Sequence, residues 1–490
     1  MSELNQVIKN LKTIQVANNQ PITIEKIEFD SRRVSKGSLF VAVRGTQVDG
    51  HDYILRALAQ GASAVICETM PEVLPDEIPF IQVKNSAEAL GIVASNFYDN
   101  PTEKLQLVGI TGTNGKTTTV TLLYDLFTNL GYKCGLISTV RNLVAGRVVE
   151  ATHTTPDPVQ LNALLAEMVE SGCEYAFMEV SSHAVEQRRI AGLHFVGGAF
   201  TNITHDHLDY HKTFANYLAA KKKFFDDMPK TSFVVTNIDD KNGLVMTQNT
   251  KAKIVKYSLK KMATYRAKIL DNAITGLHLD LDNQDFICRL IGEFNAYNLL
   301  MVYAIALNLN AKKEEIVAVL SGLNAAEGRF DYIRNEENDI TAIVDYAHTP
   351  DALEKVLSTI DDMLQRKGRI ITVVGCGGDR DKEKRPKMAE IACLYSQQVI
   401  LTSDNPRSEN PEQIIKDMQQ GISAKNDRKV LSITDREQAI KTACALAKNG
   451  DFILVAGKGH EKYQEFENKR RVHFDDKEIL SEKLKVKSEK

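Results

Sequence analysis

Residues Gly109 to Thr119 read GITGTNGKTTT, and no other stretch constrains the fold as tightly. Before it, Leu105–Val108 is apolar enough for a buried strand; after it, Val120–Leu130 carries apolar residues at helical spacing. A strand that stops in a glycine-threonine turn and restarts as a helix leaves free backbone N–H groups at the helix start. Together with the helix dipole, they favour an anion there. Gly109, Gly112 and Gly115 are expected to let the backbone bend and approach that anion. Lys116 supplies a point charge for terminal phosphates, and the Thr117 hydroxyl a ligand for magnesium. The spacing, GxxGxxGKT, departs from the usual GxxxxGKT. The bland alternative is a glycine turn with an incidental lysine, and the flanking strand and helix argue against it.

At 490 residues the chain is long enough for about three domains. Its 43% hydrophobic content is ordinary for a globular protein. The net charge is −3 and no basic stripe is interleaved with aromatics, which argues against nucleic acid as a partner. The start, MSELNQVIKNLKTIQ, lacks an apolar signal core, and no run approaches ~18 apolar residues. Neither a signal peptide nor a membrane span is therefore expected. Seven scattered cysteines without a CxxC read as reduced thiols of a cytoplasmic protein, not a disulfide frame or zinc site.

The pattern is α/β throughout. Residues 1–101 alternate short strands and helices and read as a small N-terminal domain. Asp30-Ser31-Arg32 and Thr46 to His51 fall on its turns, where such residues are ordinary. Residues 102–327 read as a mononucleotide-binding parallel-sheet domain. Strands at 175–180, 194–203 and 232–236 end beside Glu179, beside Asn202 with His207, and at Asn237. Carboxyl ends of parallel strands line the ligand crevice of open sheets. Glu179 and His207 are plausible magnesium partners there, against a satisfied loop histidine for His207. Helix 213–225 carries Ala220-Lys221-Lys222-Lys223; a solvated basic face, with Lys222 and Lys223 paired to Asp226 and Asp227, fits it best. Asn295 is a candidate base or magnesium-water contact, and Asn298 a helix-start residue. A helical stretch ends in glycine near Gly328, where residues 328–490 begin a Rossmann-like βαβ series. Its strands end at Asp345 to Pro350, Gly375 to Arg380, Ser403 to Arg407 and Gly457 to Glu461.

With these pieces in place, the chain closely resembles the Mur ligases, the ATP-dependent amino-acid ligases of peptidoglycan precursor synthesis. GTNGKTTT, EVSSH, TNITHDHLDYH, GEFNAYN, DYAHTPDALE and GCGGDRDKEKRP occur in the family's order and span all three domains. With SDNPR and AGKGHEKYQ, they resemble the branch that adds the third residue. That implies joining meso-2,6-diaminopimelate to UDP-N-acetylmuramoyl-L-alanyl-D-glutamate. The resemblance further implies that Phe29, Ser31, Thr46, Gln47 and Val48 hold the uridine diphosphate end. Thr154, Thr155, Ser181, Gln187 and Arg189 would contact the muramoyl-peptide. Gly112, Thr113, Asn114, Gly115, Lys116, Thr117 and Thr118 would cradle ATP, which Asn295 and Arg329 also touch and whose ribose Asp345 holds. Glu179 and His207 would serve magnesium, and Lys221 matches the family's carbamylated lysine, reversing the bland reading of that run. His153 departs from the asparagine that relatives often carry before the paired threonines.

The resemblance implies transfer of the γ-phosphoryl group to a carboxylate, then attack by an amine on the acyl phosphate. Arg380, Asp404, Asn405, Pro406, Arg407, Gly457 and Glu461 would hold diaminopimelate, with Arg407 paired to the distal carboxylate that lysine lacks. Cys376 is not expected as a nucleophile; His348 fits proton transfer and a loop role equally. L-Lysine addition, dipeptide addition, folylpolyglutamate synthesis and a non-catalytic nucleotide-binding regulatory protein are the rival readings. A monomer is expected, with the third domain closing on ATP.

Overall fold

The computed structural model describes residues 1–45, 48–150, 153–364 and 368–484. Thr46 and Gln47, named above for the uridine end, lie outside the described residues. Three large sheets organise the chain. The first orders Thr13–Ala17, Phe80–Val83, Ala62–Cys67, Ser38–Val41 and Lys26–Glu28, antiparallel only at its Thr13–Ala17 edge.

The second sheet has eleven strands. Its parallel centre orders Cys134–Ile137, Tyr175–Glu179, Gln106–Thr111, Gly197–Phe200, Phe233–Asn237 and Lys253–Ser258. The phosphate-loop strand Gln106–Thr111 thus lies mid-sheet, between the strands that end at Glu179 and Phe200. Antiparallel pairings extend both edges: Asn142–Val144 with Arg147–Val149 at one, and at the other Tyr265–Ala273, itself parallel to Lys253–Ser258, followed by Gly276–Leu281 and Asp285–Cys288. The helix after the loop begins at Lys116, earlier than its apolar spacing suggests, because its first turn is a buried threonine run. It ends at Asn129, with Phe127 packed 4.6 Å from the ring of Tyr175.

The third sheet orders Asp331–Asn335, Ile340–Asp345, Phe452–Ala456, Ile370–Val374, Gln398–Leu401 and Val430–Ser432, parallel except for its first strand. Pro350–Leu364, Lys384–Tyr395 and Pro411–Gln419 cover one face; Arg436–Leu446 and Asp476–Lys483 cover the other. The helix before Gly328 stops at Gly322, so Gly328 belongs to a later turn, at φ +66°.

Contacts on both sides of the second sheet tie it to its neighbours. Gly91, in the helix Ser86–Phe97, meets the turn after Glu186 so closely that a Cβ would sit 2.5 Å from the Ala191 carbonyl oxygen. On the other side, Asn114 Nδ2 donates to Asp351 Oδ2 at 2.9 Å, joining the phosphate loop to the start of the helix Pro350–Leu364.

Candidate active site

The phosphate loop is stitched to its neighbouring strand. Thr113 N donates to the Asn202 carbonyl at 2.8 Å, Asn114 N to Asn202 Oδ1 at 3.1 Å, and Thr201 Oγ1 to the Asn114 carbonyl at 2.7 Å. Gly112 is obligatory: its φ is +149°, and a Cβ would lie 1.8 Å from Thr201 Oγ1. Gly115 caps the helix at φ +87°. Gly109 does not bend the chain as expected. It lies within the strand, where a Cβ would meet Phe224, Phe195 and Val180.

The Gly112 carbonyl accepts from two lysines, Lys116 Nζ at 2.9 Å and Lys221 Nζ at 2.9 Å. Burial lowers the pKa of Lys116. Lys221 is pushed well down, first by burial and then by Lys116, and the Tyr217 ring lies 4.7 Å from its Nζ. The basic-face reading of this helix splits: Lys222 and Lys223 do pair with Asp226 and Asp227, while Lys221 turns inward. Glu179, also buried, accepts from Thr117 Oγ1 at 2.9 Å and from Thr139 N at 2.8 Å. His207, in the left-handed region at φ +53°, stands 3.4 Å from Asp206; desolvation in the cleft lowers its pKa.

These groups line a cleft of about 700 Å³ shared with the third sheet, which contributes Asp345, Tyr346 and His348, together with Arg329 from the connecting turn. Arg329 Nη2 donates to Thr117 Oγ1 at 3.0 Å and its guanidinium lies over Tyr346, 4.5 Å from the ring centre. Burial raises Asp345 to about 6, and its carboxylate accepts from Phe330 N. Thr118 and Thr154 also line the cleft. Asn295 does not: its Nδ2 donates to the Ile291 carbonyl and its Oδ1 accepts from Asn298. Asn298, read from sequence as a helix-start residue, is the one that faces Gly115 and the cleft.

Beside the cleft, Arg189 Nη1 donates to the Thr155 carbonyl at 2.8 Å and Nη2 to Gln187 Oε1 at 2.7 Å, while Thr155 Oγ1 reaches the Glu179 carbonyl at 2.9 Å. Ser181 Oγ caps Ala184 N, and His153 is exposed. Phe29, Ser31 and Val48 do not line the cleft; Ser31 is buried, and Phe29 and Val48 are exposed.

On the third domain, Arg407 (φ +51°) donates through Nη1 to the Gly378 carbonyl at 2.7 Å and lies 3.7 Å from Glu465. Asn405 Nδ2 donates to Glu461 Oε2 at 2.7 Å, Gly457 N to the Asp345 carbonyl at 3.0 Å, and the Pro406 carbonyl accepts from Glu409 N at 3.0 Å. Arg380 is exposed, with Nη1 on the Asp379 carbonyl. None of this set lines the cleft; Tyr346 bridges the two, its hydroxyl 3.5 Å from Glu461 Oε1. Two buried arginines brace the pocket loops. Arg385 pairs with Glu409 and Asp417, and Arg436 with Asp476 while also donating to the Ala456 carbonyl. Removing one partner of the fully buried Arg436–Asp476 pair costs about 3–5 kcal/mol.

Sequence reasoning missed Asn298, Tyr346, Lys458 and Glu465; a glycine-flanked lysine in AGKGHEK was the one local signal for any of them. Burial pushes the Cys376 thiol up to about 12, which keeps it protonated. His348 Nδ1 lies 2.9 Å from the Tyr346 carbonyl, and burial lowers its pKa to about 4. A base that weak suits holding the loop better than taking a proton.

Three family models match: "Mur ligase family, catalytic domain" over residues 23–98, "Mur ligase middle domain" over 110–306, and "Mur ligase, glutamate ligase domain" over 328–459. A Cytophaga hutchinsonii protein named UDP-N-acetylmuramoyl-L-alanyl-D-glutamate–2,6-diaminopimelate ligase is 56% identical, covering 98% of this chain and 99% of its own. One of the same name from Bacteroides thetaiotaomicron is 54% identical over the same shares. A solved structure titled as that ligase matches with a TM-score of 0.70 at 33% identity, covering 99% of each chain. The chain belongs to the Mur ligase family.

Proposed function

We propose that the chain is the ligase that adds meso-2,6-diaminopimelate to UDP-N-acetylmuramoyl-L-alanyl-D-glutamate at the expense of ATP. The observation that carries this reading is Arg407, held by the Gly378 carbonyl at 2.7 Å and 3.7 Å from the Glu465 carboxylate, on the loop that also carries Asp404 and Asn405. A guanidinium next to carboxylates suits a group bearing both a carboxylate and an ammonium. Residues 1–101 would hold the uridine diphosphate end, 102–327 ATP and 328–490 the amino acid.

Lys116 and the loop amides would hold the γ-phosphate as it passes to the D-glutamyl γ-carboxylate. The resulting acyl phosphate is attacked by the incoming amine, and the tetrahedral adduct expels phosphate. Thr155, Gln187 and Arg189 would orient the muramoyl-peptide, so positioning supplies most of the catalysis. Magnesium fits the donors present: the Thr117 hydroxyl, the Glu179 carboxylate and the His207 imidazole. No group of three or more His, Cys, Asp or Glu ligands clusters among the described residues. Such a site suits a cation held partly by substrate phosphates. When bound, magnesium would neutralise charge on the transferred oxygens. Burial pushes the Lys221 pKa well down, which favours the unprotonated amine that captures CO2. Carbamate formation releases one proton and turns the lysine into an oxygen ligand.

No helix among the described residues is long and apolar enough to cross a membrane. A monomer acting in the cytoplasm, where ATP and UDP-linked substrates meet, fits this chemistry. The test is ATP-dependent phosphate release with the UDP-dipeptide, meso-diaminopimelate and L-lysine side by side, with product masses confirmed. Strong preference for diaminopimelate is expected; preference for lysine would keep the ligase and discard the Arg407 pocket.

A further inference from the structure

Lys458 is fully buried, an uncommon place for a lysine. Its ammonium has three donors and no acceptor. Two of its contacts are hydrogen bonds, to Asn405 Oδ1 at 3.0 Å and Glu461 Oε2 at 3.3 Å; the third is Asp404 Oδ1 at 3.8 Å. The Tyr463 ring lies 5.5 Å away. Asn405 is thereby fixed at both ends of its amide. Its Oδ1 also accepts from Glu465 N at 2.9 Å, and its Nδ2 donates to Glu461 Oε2.

The electrostatics point the same way. Two neighbouring carboxylates in a buried site cannot both stay ionised cheaply, and one tends to take up a proton. Glu461 is already pushed up, first by burial and then by Asp404. A cation held against both opposes that uptake. Counted as formal charges, one lysine against two carboxylates leaves one carboxylate unmatched, which suits a single incoming ammonium.

We infer that Lys458 is a positioning residue for the amino-acid substrate: it holds Asp404, Asn405 and Glu461 in the orientation that receives the ammonium of its distal end, while Arg407 receives the adjacent carboxylate. This rests on the pocket reading given under Proposed function and divides its labour. Diaminopimelate and lysine both present a distal ammonium, and only diaminopimelate adds the carboxylate. Loss of Lys458 therefore weakens both amino acids without changing the preference between them, whereas loss of Arg407 changes the preference.

The test is steady-state kinetics of the full chain carrying K458M or K458Q, with R407A alongside and thermal melts as a check on folding. The KM for diaminopimelate should rise at least about 30-fold in K458M. It should rise less in K458Q, which keeps one amide donor. The KM values for ATP and the UDP-dipeptide should stay within about 2-fold of the parent. The ratio of kcat/KM between diaminopimelate and lysine, measured at high enzyme concentration, should hold in both Lys458 variants and collapse in R407A. An unchanged KM for diaminopimelate, a fall in kcat with every KM intact, or loss of the fold in both variants would each overturn the assignment. A parent enzyme that turns over neither amino acid would instead sink the functional reading, before any variant is made.

Discussion

The two halves of the site use buried cations in opposite ways. On the phosphate side, Lys116 and Lys221 both direct their Nζ atoms at the Gly112 carbonyl, while the nearby Glu179 carboxylate is taken up by Thr117 and Thr139. On the third domain, Lys458 meets Glu461, Arg407 lies near Glu465 and Arg385 pairs with Glu409. A cation that faces only carbonyl dipoles keeps its charge available for a polyanion, or gives up its proton. A cation locked to carboxylates becomes part of a nearly balanced frame, which would suit a zwitterion by shape and placement. Lys221 and Lys458, both buried, acquire different chemistry from their partners.

Substitutions can break this contrast in order of size. K116M should lower kcat at least ~10³-fold, measured by phosphate release, while leaving the KM for diaminopimelate near its parent value. K221M should lower kcat roughly 10²- to 10³-fold. A companion mass measurement on the intact parent under CO2 should show one added carboxylate, absent from the variant. R407A should lower kcat/KM for diaminopimelate about 100-fold; an unchanged value would remove Arg407 from the pocket. The smallest effect concerns the frame itself. Hydrogen bonding to Arg385 lowers the pKa of Glu409 from 4.5 to about 2, so the folded state favours the ionised form. Its contribution to stability is complete above pH 4.5 and is lost as the pH falls toward 2. The melting temperature of the parent should exceed that of E409Q by a few degrees at neutral pH. Thermal melts should show that gap closing across the acid window.

Features set by neighbours in the chain were legible in the sequence. The strand-turn-helix around Lys116 and the pairs Lys222–Asp226 and Lys223–Asp227 are local, and residues at positions 222 to 227 settle the latter by helical spacing alone. The edge hairpins were not legible. Tyr265–Ala273 is half exposed and mixes polar with apolar residues, so it lacks the continuous apolar run of the buried strands. The choice between Asn295 and Asn298 turned on which side of one helical turn meets Gly115, and no spacing rule decides that. Lys458 was visible as a lysine between glycines, but Asp404, 54 positions earlier, gives no sign in the sequence that the two will meet. Gly109 misled for a related reason: it is small because Phe224 and Phe195 pack against it, not because the chain turns there.

The seam at Gly91 has a mechanical consequence. Helix backbone rests there on turn backbone, with only the Ala191 methyl beside the contact and no long side chain to bend or repack. The helix Ser86–Phe97 and the turn at Ala191 should therefore move together as one lever arm, while any closing of residues 328–490 should turn about Gly328. Paired spin labels spanning residues 88 and 188 should report a fixed distance throughout turnover, while a pair spanning 125 and 416 should register the stroke. A bulky residue at position 91 would loosen the gearing and uncouple uridine-end binding from chemistry more than 20 residues away in the chain.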